Sequence, residues 1–344
     1  MKRVRIAVVG AGVAGFSSAV CIAEAFPSCS VTLVADRFSP DTTSDGAAGI
    51  VLAAEFPVLF FVPDIPLERQ KRWFKNSFDH LLAIAVSAHS PDAGVILSSG
   101  WQIFKEVPAN KKPFWSEFVI GFRIMTDGEL KRFPRHKFGH AFTTVRCDCS
   151  SYLPWLQNRF RKAGGQVEKR KVNDLQELFN NFDLIVNCSG LGSKSLVGDT
   201  HVYPVRGQVL KVEAPWLKHF IRDGDGGTYI YPGICSVTLG GTRQEGDWRL
   251  QVDRAEAEGI LERCSRLEPS LRKAKVLGEW VGLRPSRKNP RVEREVVQVQ
   301  GHRVPVVHNY GHGGSGVTLA WGTALDVMEL VREHLGEKLL QARL

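Results

Sequence analysis

The sequence lacks any apolar run long enough to cross a lipid bilayer. Its longest one, between Pro57 and Pro63, is far shorter than the ~20 residues that a membrane-spanning helix requires. The basic residues near the start precede an apolar stretch that is too short for the core of a signal peptide. We therefore expect neither a membrane-spanning helix nor a secretory leader.

Paired cysteines are also missing. The 7 cysteines are an odd number, and none shows the C-x-x-C spacing of a zinc site; Cys147 and Cys149 stand one residue closer than that. Buried free thiols in a reducing compartment are the expected state, and no metal site is predicted.

Long basic segments are scarce, although the net charge is +9. Clusters such as Lys169-Arg170-Lys171 are short and scattered, which argues against a nucleic-acid partner. An anionic small molecule makes better use of this charge. The chain has no internal repeats or low-complexity tracts, and its 344 residues favour two domains.

What the sequence does contain is a dinucleotide fingerprint at its start. An apolar strand over residues 4–9 runs into Gly10, Gly12 and Gly15, and a helix and a second strand follow. The first glycine permits a tight turn, the second lets the backbone approach a pyrophosphate, and the third lets helix and strand pack closely. Asp36 follows Gly15 by 21 positions, near the spacing of the acid that binds a ribose hydroxyl.

This fingerprint fits NAD and FAD alike, and a second glycine-rich loop favours FAD. The loop covers residues 311–316 and precedes a long helix, so a second helix N-terminus could serve the far end of a flavin. An NAD domain would need another βαβ unit early in the chain. Residues 50–140 instead resemble a helix over 67–87 and irregular structure. An NAD-binding regulatory module remains the alternative.

The order of the predicted elements indicates an α/β fold, α+β overall. Strand–helix units occur at both ends and in the middle, with antiparallel strands between them. We predict a Rossmann-like FAD-binding domain built from residues 1–53, 140–195 and 285–340. A substrate-binding domain of antiparallel sheet and helices, residues 54–139 and 196–284, is inserted into it.

Five further motifs in order carry a family resemblance. They cover residues 36–45, 187–192, 204–208, 282–285 and 309–314. Over nearly its whole length the chain resembles the D-amino-acid oxidase family of flavoproteins. The resemblance implies tightly bound FAD, hydride transfer from the substrate α-carbon and reoxidation by oxygen to hydrogen peroxide. The imino acid product then hydrolyses to a 2-oxo acid and ammonia.

The resemblance also assigns roles to individual residues. It places Asp36 and Arg37 at the adenosine end of FAD and Thr43 and Ser44 on the pyrophosphate. The residues that it places near the flavin are Ile50, Gly313, Val317 and Thr318. Arg284 would bind the substrate α-carboxylate with the help of Tyr229, because a planar guanidinium fork matches a carboxylate.

Two arginines bear on the substrate side chain. Arg222 and Arg243 stand where family members that oxidise acidic substrates present arginines to the distal carboxylate, and we expect a mobile lid loop to carry Arg222. The resemblance thus implies D-aspartate as substrate, with D-glutamate and N-methyl-D-aspartate as lesser ones. The alternatives are an oxidase of neutral D-amino acids, and a flavin-binding protein without oxidase activity whose pocket is filled by residues 53–63. That stretch is longer and more apolar than in the family.

The last three residues, Ala342-Arg343-Leu344, form a small–basic–leucine pattern akin to the peroxisomal tripeptide Ser-Lys-Leu. We expect a peroxisomal import receptor to bind it, and otherwise a cytoplasmic location.

Overall fold

The computed structural model describes residues 3–52, 64–224, 226–299 and 302–341. Over these residues the chain forms nine α-helices and fourteen strands. The strands are β1 Arg5–Val9, β2 Ser30–Ala35, β3 Val95–Phe104, β4 Ile120–Ile124, β5 Phe138–Cys147, β6 Gln166–Lys169, β7 Leu184–Asn187, β8 Tyr203–Glu213, β9 Phe220–Asp223, β10 Tyr229–Pro232, β11 Val237–Gly240, β12 Gln244–Glu245, β13 Lys275–Val299 and β14 His302–His312. The helices are α1 Val13–Ala25, α2 Leu67–Ala85, α3 Ser90–Ala93, α4 Asp127–Leu130, α5 Cys149–Lys162, α6 Gln176–Phe179, α7 Ser193–Leu196, α8 Arg254–Leu267 and α9 Gly316–Gln341.

The strands form one mixed sheet in the order β4-β5-β3-β9-β10-β11-β8-β13-β14-β7-β1-β2-β6, with β12 paired to β8. One half of the sheet is parallel and consists of β14, β7, β1, β2 and β6. Strands β10, β11, β8 and β13 pair antiparallel. The first part of β13 pairs with β8 and its second part with β14, so one strand joins the two halves. The α/β fold class is confirmed, while the division into two domains stays a prediction.

The first strand shows why the parallel half forms. Ile6 and Val8 of β1 pack into one apolar cluster, and Ala7 and Val9 pack into another on the opposite face. Because both faces are covered, a run of apolar residues without alternation is what a parallel strand requires. The fingerprint at its end is thereby held on a buried, fixed element.

Helix α2, predicted over residues 67–87, is confirmed over Leu67–Ala85. It packs against α9, where a Cβ added to Gly322 would lie 2.2 Å from the carbonyl oxygen of Trp73. The indole nitrogen of Trp73 donates to Asp326 at 2.9 Å. None of the helices in the described ranges is long and apolar enough to cross a membrane.

The region predicted to be irregular holds more strand than expected. β3 pairs antiparallel with β5 over ten residue pairs, and β4 continues the sheet beyond β5. The sequence of β3 does not show the regular alternation of apolar and polar residues expected of a strand. Its Leu97 is 43% exposed, and Gly100, which has no side chain, packs directly against the backbone of Phe220. These strands pair away from β1, β2 and β6, so they do not form the early second βαβ unit of an NAD domain. Residues 53–63 and Ala342-Arg343-Leu344 lie outside the described residues.

Candidate active site

The three glycines of the fingerprint meet different steric demands. Gly10 has a φ of +110°, a conformation that side chains disfavour. A Cβ on Gly15 would lie 1.9 Å from the carbonyl oxygen of Gly10, and one on Gly12 would lie 3.2 Å from Oγ of Ser44. Any side chain at position 15 would therefore separate helix α1 from the turn that precedes it.

Helix α1 begins beside the polar loop of residues 39–46. Gly12 supplies no side-chain cap, and the N–H of Val13 donates to Oγ of Ser44 at 3.0 Å. The loop is ordered by Asp45, which accepts from the backbone N and the hydroxyl of Thr42 at 3.0 and 2.6 Å. A helix start that offers N–H groups and a hydroxyl is suited to phosphate oxygens.

The residues predicted for the adenosine end lie at the carboxyl edge of β2. Asp36 and Arg37 form an ion pair at 3.7 Å, and their side chains are 50% and 69% exposed. Thr43 is also exposed, one residue before the hydroxyl that meets helix α1. The structure therefore leaves these three groups accessible to a ligand on this edge of the sheet.

The second glycine-rich loop lies beside the first. Gly313 has a φ of +54° and begins a 3₁₀ turn that leads into α9. A Cβ on Gly316 would lie 3.9 Å from Cγ1 of Val13, so the starts of α1 and α9 are in contact. In the first turn of α9, Thr318 is buried and Val317 half-buried. The structure thus brings together residues that are three hundred positions apart in sequence.

Buried polar atoms on the elements that carry the two loops fit a polar ligand such as a dinucleotide. Among the described residues, Oγ of Ser17, Oδ1 of Asn309 and Nε2 of His312 are buried without a hydrogen-bond partner. Burial lowers the pKa of His312 to about 4, so its ring is neutral near pH 7. Ile50 is half-buried and bridges to Arg146 on β5. Buried polar atoms without partners are costly in an empty site and are satisfied when a polar ligand occupies it.

Arg284 connects this region to the antiparallel half of the sheet. Its Nη1 donates to the carbonyl oxygens of Arg206 and Thr242, both at 3.3 Å. A Cβ on Gly207 would lie 2.2 Å from Nη1, and one on Gly314 would lie 3.7 Å from Cδ. The guanidinium therefore lies between β8 and the second glycine-rich loop.

The electrostatic surroundings of Arg284 favour an anion. Burial lowers the pKa of its guanidinium from 12.5; nearby Tyr229 opposes this shift, and the positive charge of Arg243 adds to it. A half-buried cation with a second cation close by is stabilised when anionic groups bind in the same region.

Tyr229 lies against a glycine pair. A Cβ on Gly240 would lie 1.9 Å from its Cζ, and one on Gly241 would lie 2.7 Å from its Oη. Burial raises the pKa of Tyr229, while the charge of Arg284 partly offsets the rise. The group is therefore a neutral hydroxyl near pH 7, which can donate a hydrogen bond to a carboxylate.

The two arginines predicted for the distal carboxylate belong to different segments, Arg222 to strand β9 and Arg243 to the loop between β11 and β12. Arg222 lies opposite Tyr229 in the pairing of β9 with β10, and its Nη1 donates to Oη of Tyr231 at 2.8 Å. The expectation that a lid loop carries Arg222 is wrong, because the residue belongs to strand β9. Arg243 follows β11, is 37% exposed and pairs with Glu245 at 3.1 Å.

Two residues of this region were missed from the sequence. Tyr231 stacks on the ring of Tyr229 and accepts a hydrogen bond from Arg222, so it links the two residues. The sequence signal for it was its position two residues after Tyr229, which places both side chains on the same face of a strand. Arg206 lies inside a motif that carried the resemblance, but sequence alone does not show that its side chain is fully buried.

Residues 5–330 match the family described as DAO, FAD dependent oxidoreductase. The chain belongs to this family. It is 55% identical to human D-aspartate oxidase over 333 residues, which cover 97% of this chain and 96% of the relative. It is 37% identical to D-aspartate oxidase 1 of Caenorhabditis elegans, covering 98% and 99%. FAD is its cofactor, and the glycine loops and exposed Asp36–Arg37 pair are the groups that fit it.

Solved structures support the fold. Glycine oxidase from Geobacillus kaustophilus matches with a TM-score of 0.74 at 21% identity, over 96% of this chain and 95% of that one. This likeness extends across both halves of the sheet. It shows that the parallel and antiparallel halves occur together in a solved fold.

Proposed function

We propose that this FAD-dependent oxidoreductase oxidises acidic D-amino acids, with D-aspartate as principal substrate and D-glutamate and N-methyl-D-aspartate as further ones. The products are the 2-oxo acid, ammonia and hydrogen peroxide. The observation that carries the proposal is the placement of Arg284 and Arg222 beside Tyr229, with Arg243 close to Arg284. The 55% identity to a D-aspartate oxidase supports the same assignment.

Three cations suit a substrate with two carboxylates. Arg284 and Tyr229 bind the α-carboxylate, which every amino acid has. Arg222 and Arg243 then bind the second carboxylate, which only acidic substrates have. Each guanidinium offers paired N–H donors in a plane, so it fixes the direction of a carboxylate as well as its charge.

The work of the chain is binding and orientation. Bound FAD supplies the two-electron chemistry, and oxygen serves as the final acceptor. A substrate held at both carboxylates by Arg284 and Arg222 has few orientations left, which presents its α-hydrogen in a fixed direction. A substrate whose amine is neutral can lose its α-hydrogen as hydride without giving a proton to a base. No acid–base pair therefore has to be assigned on the chain.

The main alternative is an oxidase of neutral D-amino acids. A net contribution of about 1.4 kcal/mol from the two distal arginines already gives tenfold discrimination in favour of an acidic side chain. The gross attraction is larger, but the cost of removing both charges from water offsets much of it. The measured ratio of D-aspartate to D-alanine turnover therefore decides between the two functions.

The test is peroxide release from purified protein loaded with FAD, on D-aspartate, D-glutamate, N-methyl-D-aspartate, D-alanine and L-aspartate. We expect turnover of the acidic D-enantiomers, a kcat/KM for D-alanine at least about tenfold lower, and none on L-aspartate. Turnover of D-alanine without D-aspartate would overturn the proposal. A full flavin spectrum without peroxide on any substrate would support the flavin-binding alternative.

We also propose that a peroxisomal import receptor binds Ala342-Arg343-Leu344. The support is the small–basic–leucine pattern together with a peroxide-forming activity. The chain with a fluorescent protein fused to its N-terminus should localise to peroxisomes, and the same fusion without the last three residues should stay in the cytoplasm. Identical distributions for the two fusions would refute this location.

A further inference from the structure

Tyr231 is a buried tyrosine on the same strand as Tyr229. The two residues are two positions apart on β10, so their side chains lie on the same face of the sheet. Their rings stack with centroids 4.6 Å apart and an interplanar angle of 15°. The side chain of Tyr231 is 1% exposed, and Phe220 on β9 packs against it with centroids 6.4 Å apart. Tyr231 is therefore held rigidly, and its position is tied to that of Tyr229.

The hydroxyl of Tyr231 is directed at Arg222. It accepts a hydrogen bond from Nη1 of Arg222 at 2.8 Å. In the register of β9 and β10, Arg222 lies opposite Tyr229 and diagonal to Tyr231, a separation that long side chains span. A flexible arginine with one donor fixed on a rigid oxygen has fewer orientations for its other donors, so less conformational entropy is lost when a ligand binds them.

The acceptor is a neutral oxygen. Burial raises the pKa of Tyr231, and the charge of Arg222 opposes the rise, so the phenol is protonated near pH 7. Such an oxygen orients a guanidinium and adds no negative charge to the site.

We propose that Tyr231 is a positioning residue for substrate specificity: its hydroxyl holds Arg222 in the orientation that receives the side-chain carboxylate of an acidic D-amino acid. The proposal rests on the proposed function. Because Arg284 and Tyr229 hold the carboxylate that all amino acids share, the hydroxyl of Tyr231 acts on acidic substrates and not on neutral ones.

Tyr231→Phe tests the proposal, since it removes the oxygen and keeps the stacked ring. We expect the KM for D-aspartate to rise about five- to tenfold, with kcat changed by less than about twofold. The kcat/KM for D-alanine should remain at the wild-type value. Binding of two unreactive ligands, followed by flavin absorbance, gives a second readout. The Kd of succinate should rise by the same factor as the KM, and the Kd of propionate should not change.

Tyr152→Phe is the matched control. Tyr152 is 2% exposed, and its hydroxyl is bonded to Nε2 of His80 at 2.9 Å, on helices away from Arg222. The control therefore loses an equally buried hydroxyl bond to a side chain. We expect it to keep the wild-type ratio of D-aspartate to D-alanine kcat/KM, which separates positioning from a general loss of packing.

A double-mutant cycle with Arg222→Met tests whether the hydroxyl acts through Arg222. In the Arg222→Met background, Tyr231→Phe should cause no further rise in the KM for D-aspartate. A full additional rise there, or equal losses on D-aspartate and D-alanine in the single variant, would overturn the role of Tyr231 while wild-type selectivity stands. A wild-type enzyme that turns over only D-alanine would overturn the proposed function as well, and that outcome is seen before any substitution is made.

Discussion

Arginines in this protein differ in where their charge is used. Arg206 is 0% exposed, and all five of its N–H donors have acceptors: the carbonyl oxygens of Arg249 and Gln251 and the side chains of Gln244, Glu256 and Gln208. Its charge is compensated by Glu256 inside the fold. Arg206 therefore fixes the segment that carries Arg243, and its own side chain has no donor left for a ligand.

Arg243 is the residue at which acidic specificity is most directly tested. Arg243→Met keeps much of the length of the side chain and removes the charge. We expect the KM for D-aspartate to rise at least about tenfold, equivalent to ~1.4 kcal/mol, because one partner of the distal carboxylate is lost. The kcat/KM for D-alanine should stay the same or rise. Both constants are measured by peroxide release under saturating FAD.

Arg249→Met is the control for Arg243→Met. Arg249 lies six residues further on, is 60% exposed and pairs with Asp247 at 2.7 Å. Arg249→Met removes an equal charge from the same segment, so an effect of net charge alone would appear in both variants. Unchanged D-aspartate affinity in Arg243→Met would contradict the assignment of this residue to the distal carboxylate.

At the scale of elements, the close approach of α2 and α9 depends on Gly322. A Cβ there would lie 2.2 Å from the carbonyl oxygen of Trp73, a backbone atom that cannot move without shifting the helix. We expect Gly322→Ala to lower the free energy of unfolding by about 1–3 kcal/mol. Urea denaturation measures the change.

Gly336→Ala tests whether helix propensity alone explains that result. Gly336 belongs to the same helix, and a Cβ there would meet nothing within 4 Å. This substitution should stabilise the protein by up to about 1 kcal/mol, because alanine is the better helix former. A Gly322→Ala variant as stable as Gly336→Ala would show that the two helices separate without cost.

A buried histidine makes the same helix interface sensitive to acid. The ring of His80 on α2 stacks on Trp321 of α9, with centroids 3.4 Å apart and 4° between the planes. Burial, followed by the charge of Arg159, lowers its pKa from 6.5 to about 3. The unfolded chain therefore binds a proton between these two pH values that the folded chain does not, and stability is lost as the pH falls below 6.5.

His80→Phe keeps an aromatic ring at this place and removes the titrating group. We expect the wild-type protein to lose up to about 2 kcal/mol more than the variant between pH 7 and pH 5. Urea denaturation of both proteins at the two pH values gives the difference. Equal losses in the two proteins would contradict a buried, neutral His80.

At the scale of the whole molecule, the sequence predicted local features better than distant ones. The fingerprint from Gly10 to Asp36 was predictable because its turn, helix and strand follow one another directly. The position of Arg222 was not, since its strand pairs with β3 and β10, partners that periodicity does not identify. Gly100 and the exposed Leu97 weaken the apolar pattern of β3 in the sequence, and Gly100 instead packs closely against the backbone of Phe220.

The residues of the cofactor site stay a prediction from the sequence, and their geometry could not be predicted. Family resemblance named Ser44, Gly313 and Thr318, whereas only the structure shows that the starts of α1 and α9 touch near Val13. Contacts between the two ends of a chain depend on how all the helices and strands between them are arranged. The order of motifs along the sequence therefore predicts which groups meet, and the sheet determines how they meet.

The predicted FAD site is formed by the two ends of the chain, so we expect bound FAD to stabilise the whole molecule. A ligand that binds only the folded state adds about 2.7 kcal/mol at a concentration one hundred times its Kd. We expect protein stripped of FAD to melt several degrees lower, and added FAD to raise the Tm in a concentration-dependent way. Gly15→Ala should weaken this rise, because its Cβ would lie 1.9 Å from the carbonyl oxygen of Gly10. Gly278→Ala, where a Cβ would meet nothing within 4 Å, should keep it. A Tm that is the same with and without FAD would contradict a site that joins the two ends.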